Sequence, residues 1–242
     1  MTIANRTGRW ATGRWWRAAA LAPVAGLLLS GCQSVENSGP TQTLVRVVDA
    51  SYNAPGVDVY VASTPIAVDI GAATITNYAY LPPENTTVYV YPSGTKAVGA
   101  QVSGEFEVGQ QSSVFITDAG TGYTASILAD QAVAAPQGYF SIRFLQQAVK
   151  TGAVDIYLVP SAGTLAGTKP VASDVKPQTV VNYVNVMAGS YTLVVAPAGQ
   201  TTIAYTSAMT MFVGGQVRTA LIMDAQLTTN PPVTVVVGDD LN

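Results

Sequence analysis

Few of the residue types that carry out chemistry in proteins occur in this chain. Its 242 residues include one cysteine, Cys32, and no histidine. The lack of histidine removes the commonest general base and the usual catalytic triads, and a single thiol can form neither an internal disulfide nor a cysteine-based zinc site. The sequence also contains no Gly-x-Ser-x-Gly motif. We therefore expect a protein that is not an enzyme and that uses no cofactor.

The acidic residues are the remaining candidates for catalysis or metal binding. Glu105 and Glu107 share one face of a strand by period two, an arrangement that could bind calcium or serve a glycan-active hydrolase. Glycosidase carboxylates normally lie on separate elements across a cleft, whereas two glutamates on an exposed strand usually form a solvated face. We predict no metal site. An envelope glycan-active hydrolase or a calcium-dependent adhesin stays the alternative, with Asp49, Glu105 and Glu107 as the first residues to inspect.

The most specific motif is Leu29-Ser30-Gly31-Cys32, which resembles the lipobox of bacterial lipoprotein precursors. It follows an apolar run and an N-terminal segment with four arginines, so the basic, apolar and cleavage regions come in the secretory order. The resemblance implies a cleaved signal peptide over residues 1–31 and lipidation of Cys32 by acyl chains such as palmitate. Residues 32–43 are predicted to be a flexible tether.

The position after the cysteine and the charge of the chain bear on location and partners. By resemblance to lipoproteins of two-membrane bacteria, Gln33 is compatible with the outer membrane, so we expect a cell-envelope protein held to the membrane by its lipid. Removal of residues 1–31 leaves seven basic residues against fourteen acidic ones, a formal charge of −7. Nucleic acid is not expected as a partner, because phosphate neutralisation needs a basic patch.

The folded part is predicted to begin near Leu44 and to be all-β. The segments 45–47, 57–61 and 86–91 alternate apolar with polar or aromatic residues and are separated by turn-rich clusters. Helical periodicity is weak throughout, since Gly, Pro, Thr and Val interrupt nearly every window. The pattern favours antiparallel sheets that each turn one face to a core.

An internal repeat divides this part in two. Val45-Arg46-Val47 recurs as Ile142-Arg143-Phe144, and the segment 57–61 recurs as 154–158, both 97 residues later. Such a period fits tandem domains of about 100 residues rather than short solenoid units. We predict two tandem antiparallel β-sandwich domains of immunoglobulin-like size, over residues 44–130 and 139–242, joined by a linker at 131–138.

These residues also carry a family resemblance. The run Val45-Arg46-Val47-Val48-Asp49-Ala50-Ser51, followed by Ala54-Pro55-Gly56-Val57-Asp58-Val59-Tyr60-Val61, resembles the opening of the DUF4397 family, a domain of unknown function found in secreted and surface bacterial proteins. Members usually have a histidine where this chain has Asp49. The resemblance covers most of residues 44–130 and, more weakly, 139–238. It implies a secreted β-domain and says nothing about activity.

Two sets of residues are predicted to have a role within this fold. Arg46 with Asp58, and Arg143 with Asp155, repeat one spacing, and we expect each pair to meet across adjacent strands as a structural ion pair. Tyr80, Tyr89 and Tyr91 have no tyrosine at the matching positions of the second copy, whereas Tyr60 and Tyr78 return. Tyr89 and Tyr91 should point outward together, with Tyr80 on a neighbouring strand, as a platform for a glycan or an envelope protein. Packing against the second domain is the competing interpretation.

Overall fold

The structure is a computed structural model that describes residues 41–226 and 232–241. These residues form one compact unit. Within them, the only helical element is a single 3-10 turn at Leu165–Gly167, and every other regular element is a strand. No helix in the described ranges is long and apolar enough to cross a membrane. The predicted all-β class is confirmed.

Nine strands build the first half, and they form two sheets. The strands are β1 (Thr43–Ala50), β2 (Val57–Val61), β3 (Thr64–Ile70), β4 (Thr74–Ile75), β5 (Ala79–Leu81), β6 (Glu84–Pro92), β7 (Ala100–Phe106), β8 (Gln111–Ala119) and β9 (Gly122–Ala129). Outer sheet 1 has the order β3-β2-β6-β7. Inner sheet 1 has the order β4-β1-β8-β9, and β5 also pairs with β1.

The second half repeats this organisation with nine further strands. They are β10 (Tyr139–Gln146), β11 (Val154–Pro160), β12 (Ala172–Val175), β13 (Thr179–Met187), β14 (Gly189–Pro197), β15 (Tyr205–Thr206), β16 (Thr210–Phe212), β17 (Val217–Asp224) and β18 (Val233–Asp239). Inner sheet 2 has the order β13-β10-β17-β18. Outer sheet 2 has the order β12-β11-β14-β15, and β16 also pairs with β14.

The two inner sheets are mixed rather than purely antiparallel. β1 pairs with β8 in parallel, with Val47 opposite Val114, and β10 pairs with β17 in parallel, with Phe144 opposite Ala220. All other ladders are antiparallel in the described residues. The expected antiparallel arrangement therefore holds for the outer sheets and fails at the centre of each inner sheet, where two distant strands of the chain meet.

Each outer sheet packs against its own inner sheet around an apolar core. In β2, Val57, Val59 and Val61 are buried in the first core, while Asp58 and Tyr60 point to the opposite face of the sheet. The second core has the same construction, with Ile156 of β11 facing Phe144 of β10 across the sandwich. The period of two in the sequence thus reports which face of each outer strand is buried.

The inner strands are buried on both faces, because the two inner sheets also contact each other. A third apolar cluster joins Val48, Ala50 and Phe115 of inner sheet 1 to Leu145, Leu221 and Met223 of inner sheet 2. The molecule is therefore a four-layer stack of outer sheet 1, inner sheet 1, inner sheet 2 and outer sheet 2. Near-continuous burial along β1 and β10 follows from this position.

Candidate functional site

The predicted lipidation site lies outside the described residues. Cys32, the predicted signal peptide over 1–31 and most of the predicted tether over 32–43 precede residue 41, where the described residues begin. The first described strand begins at Thr43, one residue before the predicted start of the fold.

The predicted ion pairs of Arg46 with Asp58 and of Arg143 with Asp155 are wrong. Arg46 lies on β1 of inner sheet 1, whereas Asp58 lies on β2 of outer sheet 1, and the apolar core separates these sheets. Both arginine side chains point away from that core, toward the other half of the molecule. The prediction failed because the alternation of Val45-Arg46-Val47 was interpreted as one buried and one exposed face, although both faces of β1 are buried.

Asp58 and Asp155 have a duplicated role of another kind. The carboxylate of Asp58 accepts hydrogen bonds from the backbone N–H of Asp69 at 2.8 Å and from the hydroxyl of Ser93 at 3.0 Å. Asp155 likewise accepts from the backbone of Asp174 at 2.8 Å. Asp69 and Asp174 both have a φ of 51°, a left-handed conformation that costs energy outside glycine. Each aspartate thus holds a strained residue of the neighbouring edge strand in place.

Arg46 is the centre of a buried polar network between the two inner sheets. The residue is 1% exposed. Its Nη2 pairs with Asp240 Oδ1 at 2.7 Å, its Nη1 donates to the backbone carbonyl of Asp239 at 2.9 Å, and its Nε donates to Ser113 Oγ at 2.9 Å. Its Nη2 also donates to Thr219 Oγ1 at 3.0 Å, so β1, β8, β17 and the end of β18 meet at one guanidinium.

Arg143 makes the matching contacts in the opposite direction. Its guanidinium pairs with Asp130, donates from Nη1 to the carbonyl of Ala129 at 3.1 Å, and donates from Nε to Thr219 Oγ1 at 2.8 Å. Arg46 of the first half thus binds Asp240 of the second, and Arg143 of the second half binds Asp130 of the first. The two halves are related here by an approximate twofold exchange of partners.

The network has two arms, Arg46 with Asp240 and Arg143 with Asp130, and a tyrosine binds the aspartate of each arm. Tyr78 donates to Asp130 Oδ2 at 2.5 Å, and Tyr183 donates to Asp240 Oδ2 at 2.6 Å. The Arg46 guanidinium lies over the Tyr78 ring at 4.7 Å, and Arg143 lies over Tyr183 at 5.0 Å. Burial raises the pKa of both phenols. Burial alone would lower the pKa of Arg46, but the interactions with Asp240, Tyr78 and Asp130 together outweigh burial, and the pKa is raised.

Sequence reasoning missed this network, although its signal was present. The repeat places Arg46 with Arg143 and Tyr78 with Tyr183, and a duplicated arginine between apolar residues indicates a shared buried role. The register aligns the two copies at this point, because Ser113 lies opposite Leu128 and Thr219 lies opposite Gly238. Asp130 therefore corresponds to Asp240.

Asp49 points into the first sandwich and is fully buried. Its Oδ1 accepts a hydrogen bond from the Ser51 backbone at 3.0 Å, while its Oδ2 and the hydroxyl of Tyr123 have no partner within the described residues. Burial raises the pKa of Asp49 to about 6.

The residue of the second half that matches Asp49 is Gln146. Its side chain accepts from the Ala148 backbone in the same way, and its amide donates to the carbonyl of Gly152 at 2.8 Å. The second oxygen of Asp49 can only accept a hydrogen bond when ionised, whereas the amide nitrogen of Gln146 donates one.

A tyrosine face occupies the solvent side of outer sheet 1. Tyr60 on β2 lies directly opposite Tyr89 on β6 and packs against Tyr91, with ring centroids 5.6 Å apart and planes at 89°. The Tyr89 and Tyr91 centroids are 6.2 Å apart. We call Tyr60, Tyr89 and Tyr91 the tyrosine face. It lies on the side of the stack away from the second half, so packing against that half does not explain it.

Tyr80 is not part of the tyrosine face. It lies on β5, which pairs with β1 in inner sheet 1, and it is 68% exposed. The prediction that placed it on a strand beside β6 is wrong, because Pro82 and Pro83 separate β5 from β6 and the chain changes sheets between them.

An open groove of about 430 Å³ adjoins the tyrosine face. Tyr60 and Tyr91 form its aromatic wall, and Asp58, Ser63, Thr95 and Lys96 line its rim. The hydrogen bond from the Asp69 backbone lowers the pKa of Asp58, so this carboxylate is ionised at neutral pH. The groove therefore offers aromatic surface, one anionic acceptor, one cationic donor and two hydroxyls.

The matching surface of outer sheet 2 has lost this character. The register puts Val194 and Ala196 of β14 where β6 has Tyr89 and Tyr91, and both residues are buried. Tyr157 alone keeps its counterpart in Tyr60. A smaller pocket of about 240 Å³ in this half lies elsewhere, between β14, β16 and the strands β17 and β18, and is lined by Leu193, Phe212 and Arg218.

The predicted acidic candidates for calcium or hydrolysis are not brought together. Glu105 lies on edge strand β7 opposite Asn85, and Glu107 follows the end of that strand and accepts a hydrogen bond from the Gln110 side chain. Both glutamates are exposed, whereas Asp49 is buried in the sandwich. Residues 41–226 and 232–241 contain no group of three side chains of the kind that binds metal ions.

Comparison with known proteins gives a family match over part of the chain and remote similarity to solved structures. No curated protein matches the chain. A crystal structure of a protein from Bacteroides uniformis, provisionally described as a cell adhesion protein, is 11% identical, with 84% of this chain and 100% of that chain covered and a TM-score of 0.22. Residues 43–157, which span β1 to β9, β10 and most of β11, match the model of the family described as domain of unknown function, DUF4397, so the resemblance carried by residues 45–61 is confirmed over that range.

Proposed function

We propose that this protein is a non-catalytic lipoprotein of the bacterial cell envelope, which holds a rigid pair of β-sandwiches at the membrane and presents the tyrosine face to a ligand or partner. The single observation that carries the binding role is the set of three tyrosines on the open side of outer sheet 1. Tyrosine gives a large contact area at low cost in conformational entropy, and it is enriched in binding surfaces.

The anchoring part of the proposal rests on Leu29-Ser30-Gly31-Cys32 and the basic and apolar segments before it. Gln33 is the basis for assigning the outer membrane. Metabolic labelling with an alkynyl palmitate analogue should mark the wild-type protein and leave Cys32→Ser unmarked, and the membrane fraction should hold only the labelled form. Equal labelling of both proteins, or none of the wild type, would contradict the lipid anchor.

The non-catalytic part is supported by what the acidic side chains do. Asp58 and Asp155 hold strained edge residues, and Asp130 and Asp240 are bound by buried arginines. Asp118 and Asp224 cap the loops that follow β1 and β10, and Asp224 accepts from the backbone of Thr151 at 2.9 Å. Carboxylates committed in this way lack the freedom that proton transfer to a substrate requires.

We further infer that residues 139–242 are a second copy of the DUF4397-like domain over 44–130, with 131–138 as the linker. The equal strand order of the two halves and the reciprocal contacts of Arg46 and Arg143 support this inference. On this view the duplication yielded one domain that contributes to the interface and another that also keeps a binding face.

The binding role is tested by the double substitution Tyr89→Ala with Tyr91→Ala. Binding of the soluble domain, residues 38–242, to isolated envelopes should fall at least about tenfold, the loss expected when an aromatic anchor is removed. Tyr80→Ala is the matched control, because it removes an exposed tyrosine from a different sheet. Unchanged binding in the double variant, with circular dichroism identical to wild type, would exclude the tyrosine face as the site.

A further inference from the structure

We propose that the groove beside Tyr60 and Tyr91 binds a neutral sugar ring within an oligosaccharide. The inference rests on the proposed binding role and names the chemistry of its ligand. It goes beyond that role because a protein partner would need a broad surface, whereas the groove is a concave site of about 430 Å³ with few polar groups.

The aromatic wall fits a ring that is apolar on its faces and polar on its edges. Tyr60 and Tyr91 stand at 89° to each other, so a ligand ring can lie flat against one phenol ring while its edge meets the other. Tyr89 extends the surface, since its centroid lies 6.2 Å from that of Tyr91. A pyranose ring presents its C–H groups on its faces and its hydroxyls at its edges.

The rim supplies partners for those hydroxyls. The Oδ1 atom of Asp58 accepts two hydrogen bonds at 2.8 and 3.0 Å, but Oδ2 has only one long contact, 3.4 Å from the Gly94 nitrogen. A carboxylate can accept about four hydrogen bonds, so Oδ2 has capacity for a ligand hydroxyl. These structural bonds also fix the orientation of Asp58, so that it is ordered before a ligand arrives. Lys96 is exposed, lines the same groove and can donate.

The charges indicate a neutral sugar rather than an acidic one. Asp58 and Lys96 balance each other at the rim, and the chain after residue 31 carries a formal charge of −7. A ligand rich in carboxylates would meet repulsion from both Asp58 and the rest of the protein. Because Val194 and Ala196 replace two of the tyrosines in the second half, we expect one site per chain.

The test is isothermal titration calorimetry of residues 38–242 with neutral hexasaccharides of glucose, mannose and N-acetylglucosamine, and with hexagalacturonic acid. At least one neutral probe should bind with a stoichiometry of one, and the acidic probe should bind at least about tenfold more weakly. Tyr91→Ala should abolish the heat of binding, and Lys96→Gln, an exposed substitution that leaves the fold intact, should weaken binding by about threefold. Tyr80→Ala should bind like wild type.

The outcomes separate this inference from the proposed function. Absence of binding by all neutral probes, equal binding of the acidic probe, or full retention in both Tyr91→Ala and Lys96→Gln would overturn the sugar assignment. If the tyrosine double variant still loses binding to whole envelopes while no sugar binds, the binding face stands and its ligand is not a neutral sugar. If envelope binding also survives, the proposed function itself is excluded.

Discussion

The inner and outer sheets of the two halves have diverged to very different degrees. At the inner interface, Arg46 and Arg143, Tyr78 and Tyr183, and Asp130 and Asp240 make equivalent bonds. On the outer sheets, Tyr89 and Tyr91 of the tyrosine face correspond to the buried residues Val194 and Ala196 in the other half. Residues that pair their charges and hydrogen bonds across an interface constrain both halves at once. Residues on an outer surface can change in one half without affecting the other.

The largest effect should come from breaking one arm of the interface. Arg46→Met leaves the buried Asp240 without its cation, and removing one partner of a buried ion pair costs about 3–5 kcal/mol. Arg143→Met removes the nearer cation of Asp130 but leaves Arg46 Nε 3.6 Å from that carboxylate, so its loss should be the smaller of the two. Urea unfolding at pH 7 should show both losses. Replacing Arg46 and Asp240 together by Met and Leu should recover much of the loss. A loss below about 1 kcal/mol in either single variant would contradict the role of the network.

Because Asp49 can ionise and Gln146 cannot, Asp49 should make the free energy of unfolding depend on pH. The folded-state pKa of Asp49 is raised from 3.8 to about 6, so the protonated form stabilises the fold below about pH 4, and that stability is lost as the pH rises through 6. Asn at position 49 cannot ionise. The free energy of unfolding of Asp49→Asn relative to wild type should therefore be about 2 kcal/mol higher at pH 7.5 than at pH 4. Unfolding at both pH values checks this. The converse variant, Gln146→Glu, should lose stability at pH 7.5, and a constant difference across pH would contradict the argument.

Gly238 tests how tightly the second half approaches the first. A Cβ added there would lie 2.8 Å from Ile75 Cγ2 and 3.3 Å from Arg46 Nη1, whereas Leu128 carries a side chain at the matching position. Gly238→Ala should therefore cost about 1–3 kcal/mol through overpacking. Leu128→Ala is the matched comparison. A denaturation midpoint for Gly238→Ala equal to wild type would show that the interface can relax.

The smallest effect is expected for an ion pair that only the second half has. Arg218 Nη1 lies 2.8 Å from Asp239 Oδ2, both side chains are about a quarter exposed, and Ser112 and Ala129 occupy the matching positions. Arg218→Met should change stability by only about 0.2–1 kcal/mol, because solvent screens such pairs. It also serves as the control for the buried arginines. A loss as large as that of Arg46→Met would mean that burial does not set the cost.

The sequence predicted the features that depend on local periodicity. Alternation along Val57 to Val61 gave the buried face of β2, and alternation along residues 86–91 placed Tyr89 and Tyr91 together on the open face. These predictions succeeded because successive side chains of a strand point to opposite faces of the sheet, so the local sequence shows which face is buried.

The features that failed depend on how distant strands meet. Nothing local to Arg46 shows that β1 is covered on both faces, so its partner Asp240 could not be found from spacing. The parallel pairing of β1 with β8 is likewise a long-range contact. The prediction for Tyr80 was wrong because the chain passes from one sheet to the other at Pro82 and Pro83. The local sequence of a strand as short as β5 does not show which sheet it joins.

The exchange of partners between the halves also sets an order for folding. The bond of Arg143 to Asp130 spans 13 residues, whereas the bond of Arg46 to Asp240 spans 194. Closing the longer loop costs about 2 kcal/mol more in chain entropy. During synthesis, the guanidinium of Arg46 lacks Asp240 until the segment around residue 240 has emerged, so the inner face of the first sandwich stays uncovered until then. A chaperone that shields this face until the last strand arrives would protect the chain from aggregation.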